Sequence, residues 1–256
     1  MHKMSTNGAI KNIRFSANNV VAMQTSRLSP VQHIQSCSPY QSFNLGLHVG
    51  DDENHVLANR TCLKKYFNDN TQIQWLEQVH GGHVIELVNY SEQPIVGDAI
   101  VTKQPDIALA IMTADCLPIF LVDKYGQEIA AIHGGWRPLA ANIIDETLKK
   151  METSVNQVEA WLGPCIGENA FVVGNEVKDT FSSLDETLAV CFKRELNNKW
   201  LANLPLIATL LLNKNGVKNI RVLDECTYQN EDKYYSYRRC NQTGRMASLI
   251  AIQNSV

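Results

Sequence analysis

Two histidines and one cysteine, each set beside residues that let the backbone turn, are the groups of this chain best suited to chemistry. They lie in Gln78-Val79-His80-Gly81-Gly82, Thr113-Ala114-Asp115-Cys116-Leu117-Pro118 and Ala131-Ile132-His133-Gly134-Gly135-Trp136-Arg137. Two imidazoles and a thiolate suit Zn²⁺, and three protein ligands leave one tetrahedral position open, as in a catalytic rather than a structural zinc site. The ligands are 36 and 17 residues apart, so no zinc-finger or His-Glu-x-x-His pattern contains them. Context says more than spacing. His80 and His133 run straight into glycine and Cys116 follows an apolar run, which places each where a regular element ends. The residues alone also admit other roles: hydrogen-bonded structural imidazoles, a buried thiol acting as a small hydrophobe, or a metal-free Cys116–His133 nucleophile and base.

Polar neighbours extend the set. Asp115 is either a carboxylate capping a backbone turn or the group that moves a proton; both it and Cys116 can act only if the chain turns here, which Pro118 favours. Gln78 shares a face with His80 in an extended segment, so it can hydrogen-bond substrate or a histidine nitrogen. Arg60, Arg137, Arg238 and Arg239 are candidate anion clamps, because guanidinium forks match phosphate and carboxylate. Arg137 leads them by lying four residues beyond His133. Asn44 and His48, in a segment dense in turn formers, are candidate substrate contacts. Tyr234-Tyr235-Ser236-Tyr237 reads as a core strand or as aromatic faces for a base.

Around these residues, strand-like and helix-like runs alternate. Val84 to Val88 and Ile107 to Met112 read as strands, the second apolar enough to be covered on both faces. Pro118 to Asp123, Lys124-Tyr125-Gly126 and Glu128 to His133 read as a hairpin. Leu139 to Met151 reads as one amphipathic helix with Leu139, Ile143, Ile144 and Leu148 on a stripe. Val158 to Leu162 and Ile220 to Leu223 read as strands, Gly174 to Phe181 as a short helix. Asn203 to Asn213 reads as a helix with Pro205 in its first turn and Gly216 past its end. Leu28 to Pro39 reads as a surface loop. The fold class is α/β (α+β) with mixed sheets.

Composition excludes several classes. A net charge of −3 gives no basic field for nucleic acid. No run reaches a membrane span, since Thr113, Asp115 and Pro118 interrupt Ile107 to Val122. Seven cysteines, an odd number without a Cys-x-x-Cys, and a polar N-terminus point to reduced thiols in a cytoplasm. No Gly-x-Gly-x-x-Gly, P-loop or Gly-x-Ser-x-Gly appears. Four laccase coppers need about ten histidines and a cysteine; the chain has seven histidines.

From about Ser26 to Ile252, the ordered motifs resemble the YfiH/YlmD-like laccase-domain family, whose members are also named polyphenol or multicopper oxidases and read as purine nucleoside phosphorylases of the FAMIN type. They include Asn44-Leu45-Gly46, Asn59-Arg60, Gln78-Val79-His80-Gly81, Gly97-Asp98-Ala99, Thr113 to Pro118, His133 to Arg137, Leu162-Gly163-Pro164-Cys165-Ile166-Gly167, Cys226-Thr227-Tyr228, Ser236-Tyr237-Arg238-Arg239 and Thr243-Gly244-Arg245. The resemblance implies a single domain over residues 1–256, folded as a four-layer α/β/β/α sandwich like the deamidase domain of cytotoxic necrotizing factors. It implies that His80, Cys116 and His133 bind zinc and catalyse, and that Asn44 and Arg60 handle phosphate and ribose. The implied activities are phosphorolysis of adenosine, inosine, guanosine and S-methyl-5′-thioadenosine, and deamination of adenosine. Relatives also edit peptidoglycan, which adds peptidoglycan precursors to nucleosides and phosphate as partners. A monomer or weak homodimer is expected.

Three departures stand out: Ser26-Arg27-Leu28-Ser29-Pro30-Val31-Gln32 lacks the family's double glycine, His133 is followed by Gly134 rather than Ala, and Cys240 replaces the usual Asp after Arg239. Deamination needs a water activated near neutral pH, with Asp115 assigned to the proton transfer; phosphorolysis needs an anion held beside ribose C1′. The three side chains of the triad should therefore converge on one point.

Overall fold

Apolar runs that are buried on both sides build two mixed sheets whose ends carry the site. The computed structural model describes residues 8–31 and 36–253. The polar N-terminal residues 1–7, residues 32–35 of the expected surface loop, and residues 254–256 lie outside the described residues.

The first sheet has the order β1 (Ile10–Ile13), β2 (Val20–Thr25), β16 (Met246–Ile252), β8 (Ile107–Thr113), β3 (Gln72–Gln74). Its pairs are antiparallel apart from β3 with β8. The second runs β15 (Asn219–Val222), β11 (Val158–Leu162), β9 (Leu117–Asp123), β10 (Ile129–Gly134), β7 (Ala99–Thr102), β5 (Val84–Glu86). Here the outermost pair at each edge is parallel and the interior pairs are antiparallel. Two small sheets accompany them: β4 (Leu76–Glu77) with β6 (Ile95–Val96), and β12 (Val172–Val173), β14 (Trp200–Ala202), β13 (Phe192–Arg194). The expected mixed-sheet α/β domain is what the chain forms.

Strand β8 shows how the period of two sorts side chains into cores. Leu109 and Ile111 join Phe120, Val122, Ile129 and Ala131 of the other sheet in one cluster. Ala108 and Ala110 turn the other way, to Cys62 and Leu63 of α1 (Glu53–Lys64). On the far face of the six-stranded sheet, Ile119, Leu121, Ala130 and Ile132 pack with Ile143, Leu148, Ile207 and Leu211. The hairpin β9–β10 is as expected, and its register sets His133 opposite Pro118.

The helix expected over Leu139 to Met151 is instead two, α2 (Trp136–Ala140) and α3 (Ile143–Lys150), separated by Asn142 at φ 59°, ψ 28°. Asparagine tolerates the left-handed region, and the stripe continues across the break: Leu139, Ile143, Ile144 and Leu148 are all buried. After α4 (Asn175–Leu184), helix α5 (Leu204–Lys214) follows the sequence signals closely. Asn203 caps it by accepting from Leu206 N at 2.9 Å, and Gly216 beyond its end has φ 94°. No described helix is long and apolar enough to cross a membrane.

Phe120 is fully buried between the sheets and stacks on Trp161 with centroids 5.3 Å apart. Phe120→Ala should cost about 3–5 kcal/mol of stability, measured by chemical denaturation; a loss under 1 kcal/mol would show that the inter-sheet core is not formed as described.

Candidate active site

The chain crosses from the five-stranded to the six-stranded sheet between β8 and β9, and the turn it makes there carries Asp115 and Cys116. Asp115 adopts φ 102° and His80, in the loop after β4, φ 58°. Positive φ is uncommon outside glycine, with Asn, Asp and His the side chains that tolerate it best, and it gathers at functional sites. His133 is the penultimate residue of β10. A Cβ on the following Gly134 would stand 2.7 Å from Leu117 O, so only glycine lets β10 close on β9 at this point.

These elements bring the triad together. The ligating atoms of His80, Cys116 and His133 all lie within 4.8 Å of one another, and among the described residues this is the one such group of three or more His, Cys, Asp or Glu. The two imidazoles meet edge to face, with centroids 4.7 Å apart. Asp98, fully buried, fixes both histidines. Its Oδ1 lies 2.8 Å from His133 Nδ1 and accepts from His80 N at 2.9 Å, while Oδ2 accepts from Gly81 N at 2.7 Å. With Nδ1 committed to the carboxylate, His133 offers Nε2 to the centre, the arrangement of metal-ligating histidines backed by a carboxylate. The donor set fits metal binding.

Electrostatics agree with this geometry. Burial opposes ionisation of Cys116, but His133 and His80 outweigh it and draw the thiol down to about 6. Burial likewise opposes the His133 charge, but Cys116 and Asp98 push it up to about 9. Burial would raise the Asp98 carboxyl; His133 and the Gly81 and His80 N–H groups hold it below its usual range.

The triad lies in a cavity of about 930 Å³. Arg60, on α1, lines it, with its guanidinium 3.8 Å over the Trp75 ring and Nε donating to Leu45 O at 2.9 Å. Burial lowers Arg60 to about 10, which leaves it cationic at neutral pH. Arg137 and Arg238 line the cavity as well. Gln78 lines it but spends its amide on Met112, donating to O at 2.9 Å and accepting from N at 2.8 Å. Asp115 is also in the wall; its oxygens accept from Thr227 Oγ1 and Arg238 N, both at 2.7 Å. Asn44, expected to touch substrate, is fully buried and outside the wall. Its side-chain oxygen accepts from Arg245 N at 2.9 Å and its amide donates to Asp51, so it positions Arg245 instead. Arg239 is committed to carbonyls of Thr227, Tyr228 and Tyr234. Tyr234 and Tyr235 are core, whereas Tyr237 lines the cavity.

Asp98 and Arg245 are site residues that residue chemistry alone did not single out. Their signals were the Gly97-Asp98 step before a strand and the Gly244-Arg245 step before β16. Arg245 lines the cavity near His48, whose imidazole is held below its usual pKa by burial and by Arg245 and Arg60.

Residues 24–253 match the family described as multi-copper polyphenol oxidoreductase laccase. The chain belongs to that family. A Haemophilus influenzae purine nucleoside phosphorylase is 42% identical over 91% of this chain and 94% of its own length. The Escherichia coli purine nucleoside phosphorylase YfiH is 39% identical over 90% and 93%. Among solved structures, a Neisseria meningitidis protein of family DUF152 superposes with TM-score 0.90 at 34% identity, covering 96% of this chain and 100% of that one. YlmD from Geobacillus stearothermophilus gives 0.85 at 27% identity, over 93% and 94%. The copper in the family's description asks for more histidines than the seven available, while three donors at one point are enough for a single ion.

The depressed thiol has a direct consequence for metal-stripped protein. A thiolate present above its pKa is lost as pH falls through it, so alkylation of Cys116 by iodoacetamide should fall with a midpoint near pH 6. Peptide-level mass spectrometry separates it from the exposed Cys37 and Cys240. Asp98→Asn should move the midpoint upward by weakening the His133 cation; an ordinary thiol midpoint in the parent protein would refute the pairing.

Proposed function

We propose that the chain is a zinc-binding purine nucleoside phosphorylase acting on adenosine, inosine, guanosine and S-methyl-5′-thioadenosine, with adenosine deaminase activity. The observation that carries this reading is the convergence of His80, Cys116 and His133 in one cavity with guanidinium groups beside them. Relatives that cover nearly the whole chain bear the phosphorylase name.

Phosphorolysis forms a bond from a phosphate oxygen to ribose C1′ and breaks the bond from C1′ to the purine nitrogen. The electron pair leaves with the purine, which takes up a proton. Two things are therefore needed: a cation for the attacking phosphate and a donor for the departing base. Arg60 and Arg245, with His48 beside them, supply the first; oriented donors placed before the reaction stabilise developing charge most effectively. His80, the most exposed member of the triad, faces the cavity and supplies the second. Bound by His80, Cys116 and His133, zinc would add Lewis acidity. For deamination, Asp115 in the same wall is the carboxylate assigned to proton transfer.

A second reading is favoured by one observation: Cys116, His133 and Asp98 form a thiol–imidazole–carboxylate chain of the kind that activates a nucleophile. On it, the chain is a metal-free thiol hydrolase acting on peptidoglycan precursors. Zinc content of the purified protein separates the two.

Cys116→Ala should lower nucleoside turnover at least about a hundredfold and release zinc while the fold persists. Wild-type rates on adenosine, with and without phosphate, would remove Cys116 from the mechanism. Arg60→Ala should raise the KM for phosphate about tenfold and slow release of ribose 1-phosphate more than release of ammonia. Equal losses in both reactions would move the phosphate role to another arginine.

A further inference from the structure

The cavity is roomy and carries four guanidinium groups, Arg60, Arg137, Arg238 and Arg245. At about 930 Å³ it lies near the top of the range of roughly 300–1,000 Å³ found for small-molecule sites. Its guanidinium groups also stand on two walls. Arg60 lies over Trp75, and Trp75 packs on the core outside the five-stranded sheet. Arg137 lies 4.4 Å over Trp136 and Arg238 5.4 Å over Phe171. Both of those rings belong to the core outside the six-stranded sheet. Stacked sheets are about 10 Å apart, so the two walls belong to different layers, with the turn that carries Cys116 crossing between them.

The second wall has unused charge. Arg238 is anchored through Nη1 to Val172 O at 3.0 Å, and its Nε and Nη2 donate to no described residue. The Arg137 guanidinium makes no hydrogen bond to a described residue. Among the described residues no salt bridge involves either arginine. Asp115, on the turn beside that wall, accepts from Thr227 and from the Arg238 main chain and forms no salt bridge with either guanidinium. A guanidinium laid on an aromatic ring presents its N–H edge in a fixed plane, which suits bidentate contact with phosphate.

We propose that Arg137 and Arg238 form a second anion subsite, which admits purine nucleosides carrying a 5′-phosphate. The inference rests on the nucleoside reading above, in which the attacking phosphate is held on the opposite wall by Arg60 and Arg245. The chemistry at C1′ is unchanged: a phosphate oxygen forms the new bond, the purine leaves with the electron pair and takes up a proton, and the 5′ ester remains intact.

The test is calorimetric titration of the zinc-loaded protein, in phosphate-free buffer, with inosine and with inosine 5′-monophosphate. The nucleotide should bind about tenfold more tightly than the nucleoside. Arg137→Gln and Arg238→Gln should each reduce that ratio toward one, and Arg60→Ala should leave the ratio in place. Equal affinities in the parent protein, a ratio that survives Arg137→Gln, or one abolished by Arg60→Ala would overturn the subsite. Arg137 is exposed, so its variant keeps the test open if Arg238→Gln fails to fold. Inosine left uncleaved with phosphate present, alongside an Arg137-dependent nucleotide preference, would reject the phosphorylase reading and leave the subsite standing.

Discussion

A carboxylate shut away from water persists only where hydrogen bonds and a positive partner replace its hydration. Asp98 meets that condition with the pieces of the candidate site. Its oxygens are satisfied by the N–H groups of His80 and Gly81 and by the imidazole of His133, and its own carbonyl accepts from His133 N at 2.7 Å. One buried charge thus holds a loop in a left-handed turn and sets the tautomer of a strand histidine. The thiol then finds both imidazoles already oriented, and its ionisation follows from their position. The constraint runs both ways: move the His80 loop and Asp98 loses donors, which a buried acid cannot tolerate.

The sheets contribute by ending at the same place. Because β8 and β9 belong to different sheets, the turn between them must cross the sandwich, and the side chains it exposes face a gap that neither sheet fills. That gap is lined by guanidinium groups stacked on rings rather than paired with acids. Such an arrangement gives little to stability, since the charges go uncompensated; it leaves N–H edges available to a ligand. Strain and unspent charge concentrated in one cavity, within an otherwise well-packed fold, is the pattern expected where function competes with stability.

Much of this was legible in the sequence because the signals were local. The apolar run of β8, the β9–β10 hairpin and the caps of α5 rest on periodicity and on Asn203, Pro205 and Gly216. The triad was legible because His80, Cys116 and His133 each adjoin residues that bend the chain. What failed depended on contacts made by distant segments. The stripe from Leu139 to Leu148 reads as one helix, since a single left-handed Asn142 shifts the backbone without moving the apolar side chains off the core. Asn44 and Asp98 are both short polar residues beside turns; the Gly97-Asp98 step marks a bend, but only the folded chain shows that Asp98 meets an imidazole and Asn44 an arginine N–H. Arg239 and Arg245 are likewise indistinguishable until the carbonyls that capture the first are placed.

The same three side chains suit both of the proposed chemistries, and the physics of the site explains why. A cysteine drawn to about 6 by two imidazoles is already the deprotonated ligand that a divalent cation needs. It is equally the thiolate that a hydrolase needs, with His133 and Asp98 in the order of base and orienting acid. What separates them is where the positive charge resides: on the His133 imidazolium in one case, on the metal in the other. His133, Cys116 and His80 would hold a metal in place of the imidazolium proton, and the Nδ1 contact of His133 with Asp98 would satisfy the buried carboxylate in either case. The scaffold is therefore indifferent to the choice, and the arginines that line the cavity are the groups on which the proposed reading places substrate selection.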